Sequence, residues 1–416
     1  MPFRLRPLLA TLILAHGSAL PAAVIGTNSL SLPLTAARIE GMDAPDRIAW
    51  AAYLARSDRL QAEARATFDA ELKAAGRAAP LVPGKGSAIP LQRPPEFWSG
   101  AEAARWANIM VSFQTPAGGW SKNTDFTREL RQPGERYGSE AGYDGTLDNG
   151  GTVSPLRFLA RTIAATGPDA AAATTWEAAF VRGIEYLLVA QYSNGGWPQV
   201  FPLMGGYHDA VTFNDDAIVG VLTLLHEVAG GGAEFAFTSP ALRTRAAAAV
   251  QRGLDCILAA QIVSRGRRTV WCQQHDMITL APCAARNYEM PAQAAGESAG
   301  LVRFLITLPD PSPAVVTAVH AAAAWFQKTM LRDVAYKFAS DGSGRTLIAT
   351  PGAGPIWPRF SEIGTDRPLF GDRDLTIHDD VNGISRERRN GYGWYGDGPK
   401  RTLDHYTKWA RQHPLK

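Results

Sequence analysis

Three groups of residues in this chain have the types and spacing to do chemistry. The first is acidic: Asp148 and Asn149 follow Leu147, and Asn214, Asp215 and Asp216 follow Phe213. Oxygen-only ligands suit a hard cation, and a loose Ca²⁺ shell can be completed by water and by a bound carboxylate. The same residues precede apolar stretches, where Asp and Asn commonly accept the free N–H groups of a helix start. Spacing alone leaves metal binding and capping both open. The second group is the loop from Trp271 to Glu289, which concentrates His275, Asp276, Arg286, Tyr288 and Glu289, with Pro282 and Pro291 directing its path. His275 reads equally as a hydrogen-bonded loop residue, and Arg286 with Glu289 as a surface ion pair worth little. The third is the stretch 355–400, where Arg359, Arg367, Arg373, Arg386, Arg388 and Arg389 alternate with aromatic residues and acids. Guanidinium groups grip carboxylates bidentately, so this interleaving suits a sugar acid as well as a salt-bridged surface. Asp372, Asp374, Asp379, Asp380 and Asn382 mimic a calcium loop but lack the Gly and Glu that an EF-hand needs at fixed positions.

The elements that must position these groups form a repeat. Three segments share one order: an apolar helical stretch, a Gln, then a Trp. They are Ile109 to Trp120 with Gln114, Arg182 to Trp197 with Gln191, and Arg252 to Trp271 with Gln261 and a longer basic loop. The tryptophans stand 77 and 74 residues apart, room for two helices and a long loop per unit. Self-similarity at a fixed spacing implies stacked supersecondary units. After each Trp an irregular stretch ends in Asp148 and Asn149, in Asn214, Asp215 and Asp216, or in Glu297 and Ser298, and another apolar helix begins. Strand signals are few. Helix pairs of this kind with Gln-to-Trp corners predict an all-α fold, an α/α toroid (incomplete α/α barrel) whose long loops gather at one end and bring Asp148, Asp215 and the 271–291 loop together.

Composition bounds the partners. Of 416 residues, 46% are hydrophobic and 19% charged, so a large core is expected. The formal net charge is +3, and Arg4 and Arg6 lie in a leader-like N-terminus, leaving the rest near neutral. That balance argues against a nucleic-acid partner, and grip on an acidic polymer requires a local cation cluster. Arg4 and Arg6, an apolar run from Leu8 to Ala15 and small residues to Ala23 have the order of a secretory signal over 1–23, too short to span a bilayer. A periplasmic or secreted protein is expected, without a membrane partner and as a monomer. Residues 24–95 read as an N-terminal extension with helices packed on a main domain at 96–416. Cys256, Cys272 and Cys283 are an odd set, and a Cys272–Cys283 bridge or three free thiols both fit.

Several longer motifs, in order, resemble polysaccharide lyase family ten, a pectate lyase family. They are Gly119 to Asn123, Thr146 to Thr152, Asn194 to Gln199, Thr212 to Ala217, Pro282 to Glu289, Trp357 to Phe360, Phe370 to Asp374 and Tyr392 to Gly396. The resemblance implies an α/α-toroid enzyme that cleaves polygalacturonate by Ca²⁺-dependent β-elimination. Carried over position by position, it implies Arg286 as the Brønsted base and Asp148, Asp215 and Asn149 as Ca²⁺ ligands. It also implies Lys122, Arg359 and Arg373 as carboxylate-binding cations, with Asp216, His275 and Tyr288 beside the substrate. Ser121 stands where the family often has Pro, and Gly151 where it more often has Ala. A hydrolase on the same architecture, using Asp148 and Asp215 as acid and base, is the alternative. The Arg-Gly to Trp pattern at 182–197 also resembles the corner motif of terpene cyclases, and a non-catalytic carbohydrate-binding toroid is a third reading.

Overall fold

A computed structural model describes residues 23–86, 89–167 and 171–415, so almost all of the expected leader lies outside the described residues. The body is helical. After a short helical turn at Ala36–Glu40, a long helix, α1 (Ala44–Ala74), starts with Pro45 in its first turn, ends before Gly76 in the left-handed region (φ +63°), and consists mostly of good helix formers. Its buried contacts come from Trp50, Tyr53 and Ser57, and the Tyr53 hydroxyl donates to the Ala190 carbonyl at 2.9 Å. Ile48 is exposed to solvent.

The longer helices that follow are α2 (Ala101–Ser112), α3 (Val153–Thr166), α4 (Ala171–Ala190), α5 (Ala217–Gly230), α6 (Pro240–Ala260), α7 (Ala295–Thr307) and α8 (Pro313–Thr329). Consecutive helices pair as α3 with α4, α5 with α6 and α7 with α8. Alternate helices also touch, α3 with α5 with α7 in one series and α2 with α4 with α6 with α8 in the other. A last helix, α9 (Gly398–Trp409), closes on α7 and α8.

The corner residues explain the sequence repeat. Each corner Trp is almost fully buried and donates its indole N–H to the helix before it: Trp120 to the Met110 carbonyl (2.7 Å), Trp197 to Leu187 (2.8 Å), Trp271 to Ile257 (2.7 Å). Each Gln ties its own corner to the next helix of its series, Gln114 to Ala179, Gln191 to Ala249 and Gln261 to Ala318, at 2.9–3.0 Å. Arg252 completes the Gln191 joint through its side-chain oxygen, as Arg182 does for Gln114. The glycines next to those arginines are required by close packing: a Cβ on Gly183 would lie 2.8 Å from Trp120, and one on Gly253 3.0 Å from Trp197. Trp357 makes the same indole bond to the Phe326 carbonyl at 2.8 Å, a fourth corner without the Gln.

The site side of the molecule is not helical, which corrects the all-α expectation there. Short strands β1 (Val24–Thr27), β2 (Gln293–Ala294), β3 (Phe360–Ser361), β4 (Pro368–Gly371) and β5 (Thr376–His378) form an antiparallel sheet in the order β1-β5-β4-β3-β2. A second apolar cluster, with Tyr288, Met290, Phe360, Phe370 and Trp394, packs on it. The strands are two to four residues long, too short for alternation to register in sequence. All three cysteines are free thiols, so the Cys272–Cys283 bridge is not formed.

Candidate active site

Two quasi-equivalent turns carry the acidic groups. Asp148–Gly150 leads into α3 and Asn214–Asp216 into α5, and the turns touch each other. Each holds its central residue in the left-handed region, Asn149 at φ 50°, ψ 30° and Asp215 at φ 50°, ψ 37°. Asn and Asp tolerate that region best among non-glycine residues. Among the described residues, neither Asp148 nor Asp215 accepts a hydrogen bond from a helix-start N–H, and neither Thr152 nor Asp216 makes a side-chain cap. The capping alternative therefore fails, and both carboxylates line a pocket instead.

That pocket, about 120 Å³, is lined by Lys122, Tyr143, Asp148, Asn149, Gln199, Tyr207, Asn214, Asp215, Gln274, Ala285, Arg286 and Glu289. Segments far apart in sequence thus meet: the base candidate, the cation-ligand candidates and one substrate-binding candidate share one wall. Asp148 is 2% exposed, and its Oδ2 takes an ion pair from Lys122, whose Nζ also lies 3.9 Å from the Tyr143 ring centre. Asp215 stands at the opening. The pocket wall strips water from its carboxyl, and the neighbouring Asp148 adds like charge, so its pKa is pushed up to about 6. Arg359 and Glu297 act on it from behind with opposite signs.

Arg286 enters from the 271–289 loop. Its backbone N–H, Nε and Nη2 all donate to Glu289, a carboxylate that is 1% exposed, while among the described residues nothing accepts from Nη1. The Tyr392 hydroxyl holds Glu289 at 2.6 Å. The rings of Tyr288 and Tyr392 lie 5.0 and 5.6 Å from the guanidinium carbon. Burial pulls the Arg286 pKa down, but the Glu289 hydrogen bonds and charge outweigh it and hold the guanidinium above its ordinary range. The turn itself is clamped by Asn28, next to β1, whose amide donates to the carbonyls of Arg286 (3.2 Å), Asn287 (2.9 Å) and Glu289 (3.3 Å).

The other expected site residues fall elsewhere. His275 is completely buried, with Nδ1 bonded to the Leu280 carbonyl at 2.7 Å and Nε2 accepting from the Cys272 N–H at 3.0 Å. Burial lowers its pKa to about 4, so it is a neutral structural residue with no surface for substrate. Tyr288 is 5% exposed, lies beneath Arg286, Arg373 and Arg388, and is outside the pocket lining. Asp216 is exposed but outside the pocket lining, its Oδ1 against Gly300 of α7. Arg373 is exposed and paired with Glu387 at 2.9 Å, outside the lining. Arg359 is bonded to Glu297 (2.6 Å) and Asn214 (2.9 Å) and lines an adjoining depression. Sequence reasoning missed Tyr143 and Tyr207, which sit in irregular segments with no periodicity. Gln199 lay inside a recognised motif but had no role assigned to it.

The oxygen-rich wall fits a hard cation. Asp148 Oδ1, Gln199 Oε1 and Gln274 Oε1 are buried without a hydrogen-bond partner among the described residues, and all three residues line this pocket. Such orphaned acceptors are costly unless something electropositive meets them. Among the described residues no three His, Cys, Asp or Glu side chains cluster to bind a metal by themselves. Two carboxylates with amide oxygens make an incomplete shell of the kind that water and a ligand carboxylate finish.

Comparison with known proteins agrees with this arrangement. The pectic acid lyase family matches residues 114–403. A solved structure of a family 10 polysaccharide lyase from Cellvibrio cellulosa is 34% identical at a TM-score of 0.66, covering 76% of this chain and 96% of that one. A mutant of a family 10 polysaccharide lyase from the same organism, solved in complex with trigalacturonic acid, matches with the same identity and TM-score over 76% of this chain and 95% of that one. No curated protein matches. The hydrolase, terpene-cyclase and non-catalytic alternatives are overturned by the family. The chain belongs to polysaccharide lyase family 10, the pectic acid lyases, enzymes that act on pectate.

Proposed function

We propose that this lyase cleaves α-1,4-polygalacturonate by Ca²⁺-dependent β-elimination, releasing 4,5-unsaturated oligogalacturonates. The carrying observation is that Arg286 shares one pocket with Asp148, Asn149 and Asp215. The trigalacturonic acid held by the Cellvibrio relative supports a galacturonate substrate. In our reading the helix series form an α/α toroid, residues 96–416 are the catalytic domain, residues 24–95 its extension, and residues 1–23 an export signal.

The chemical difficulty is charge. Removing the proton at carbon 5 of a galacturonate builds negative charge onto a carboxylate that is already anionic. Ca²⁺ bound between this pocket and that carboxylate would neutralise the developing enolate. Asp148, Asp215 and Asn149, with the amide oxygens of Gln199 and Gln274, would hold it. Lys122, already beside Asp148, can turn its ammonium to the substrate carboxylate. Arg286 accepts the carbon-5 proton at Nη1, the one guanidinium nitrogen outside the Glu289 fork. The carbon-4 oxygen then departs as the carbon 4–carbon 5 double bond forms, and takes a proton from solvent. Arg359, clamped by Glu297 and Asn214, reinforces the positive field behind Asp215.

The direct test is ultraviolet absorbance of the unsaturated product from polygalacturonate, with calcium and with chelator. Turnover in calcium only is expected, with Arg286→Ala abolishing it while polymer binding persists. Reducing ends without absorbance, or full activity in chelator, would sink the reading.

A further inference from the structure

The third corner departs from the other two in a way that catalysis does not use. Gln114 and Gln191 each precede their Trp by six residues, but Gln261 precedes Trp271 by ten. The extra residues make a β-hairpin: Val263 pairs with Arg268 and Ser264 with Arg267, across a turn at Arg265 (φ 50°) and Gly266 (φ 75°). Arg265, Arg267 and Arg268 are thereby collected on one short projection. Among the described residues no carboxylate lies within 4 Å of any of the three guanidinium groups. Arg268 makes only a carbonyl contact, to Leu258 at 3.0 Å.

The helix behind the hairpin is also altered. Arg182 and Arg252 sit three residues after Ala179 and Ala249, the carbonyls that the corner glutamines reach. The equivalent position after Ala318 is Ala321, so Gln261 Oε1 is left buried without a partner. Where the repeat arginine is missing a groove of about 880 Å³ opens, lined by Arg265, Arg267, Arg268, Thr317, Ala321 and Lys328 among others. Asp366, the carboxylate in that lining, is already occupied by Lys328 (2.5 Å) and the Trp325 indole (2.8 Å). The groove shares no lining residue with the catalytic pocket.

We propose that this groove is a second, non-catalytic binding site for a run of galacturonate residues, which holds the polymer while the catalytic pocket works on another stretch. Guanidinium groups without acidic partners, in a concave surface on a chain that is otherwise near charge balance, complement a regular polyanion. Tethering at one site raises the effective concentration of substrate at the other. The proposal rests on the substrate reading above, and its test separates the two.

Arg265→Gln/Arg267→Gln should raise KM for long polygalacturonate about five-fold at low salt, the sum of two modest ion pairs. It should leave kcat unchanged, flatten the salt dependence of KM, and leave trigalacturonic acid turnover as in the wild type. Retention in a polygalacturonate-containing native gel should fall in an Arg286→Ala background, where no cleavage occurs. An unchanged polymer KM and gel retention overturns the groove. An equal loss on the trimer overturns it too, by placing these arginines in the catalytic cleft. Arginine-dependent retention of DNA or anionic vesicles, with polygalacturonate unaffected, also overturns it. A wild type that is retained through these arginines yet never cleaves polygalacturonate refutes the lyase mechanism and leaves the groove standing.

Discussion

A guanidinium accepts a proton only in its neutral form, and Glu289 works against that form. Burial favours neutral Arg286, yet the buried carboxylate with three bonds to the residue reverses the balance. Near pH 10 an ordinary arginine is neutral in only about one molecule per few hundred, so the rate should climb with pH through the alkaline range. The compensation is basicity: a scarce base of high pKa takes the proton with a larger driving force. Glu289→Gln removes the charge and part of the fork. The base then titrates lower, so the rising limb of kcat against pH should move to lower pH, while the maximal kcat falls because Nη1 is held less firmly. A limb that stays in place in the variant would mean that Arg286 is not the titrating group. Asp148, Asp215 and Arg286 were legible as residue types within recognisable motifs, and they line one pocket. The burial that makes His275 structural and sets Tyr288 beneath its arginines was not, because exposure is decided by neighbours distant in sequence.

At the scale of elements, the Gln-to-Trp corners were readable because one bonding scheme imposes one residue order three times. Gln191 donates to Gly195 within its corner and to Ala249 in the next helix, and accepts from Arg252. Replacing it by Ala leaves two buried carbonyls and a guanidinium short of partners, a cost of about 2 kcal/mol or more. Gln191→Ala should therefore lower the urea midpoint with little change in slope, and kcat should fall only near the transition. A loss of kcat under conditions where the variant is fully folded would show that the corner also positions the Asp215 turn. The sheet was illegible for the opposite reason. Its strands are too short for a period, and their pairing joins residues far apart in sequence, Phe360 with Ala294 at one edge and Val24 with His378 at the other.

At the scale of the whole molecule, the 286–289 turn of the candidate site is clamped by the N-terminal segment of the described chain. The N-terminal strap supplies β1 to the edge of the sheet, Asn28 to three carbonyls of the 286–289 turn and the Leu34 N–H to Asp209 at 3.0 Å, and Arg38 pairs with Asp276 at 2.5 Å. All of this precedes the residues matched to the family, 114–403, so a chain trimmed to that match would keep the candidate ligands and lose the clamp. The proposed division at residues 95 and 96 is thus crossed by bonds at the candidate site itself. Asn28 is 4% exposed, and Asn28→Ala deletes a buried donor without changing charge. We expect kcat to fall about ten-fold, equivalent to about 1.4 kcal/mol of lost positioning, with KM for polygalacturonate nearly unchanged. Amide exchange at 286–289 should rise selectively while the helices keep their protection. Unaltered kcat with faster exchange in that turn would show that Arg286 is held by Glu289 and its aromatic neighbours alone, and that the strap serves stability and not turnover.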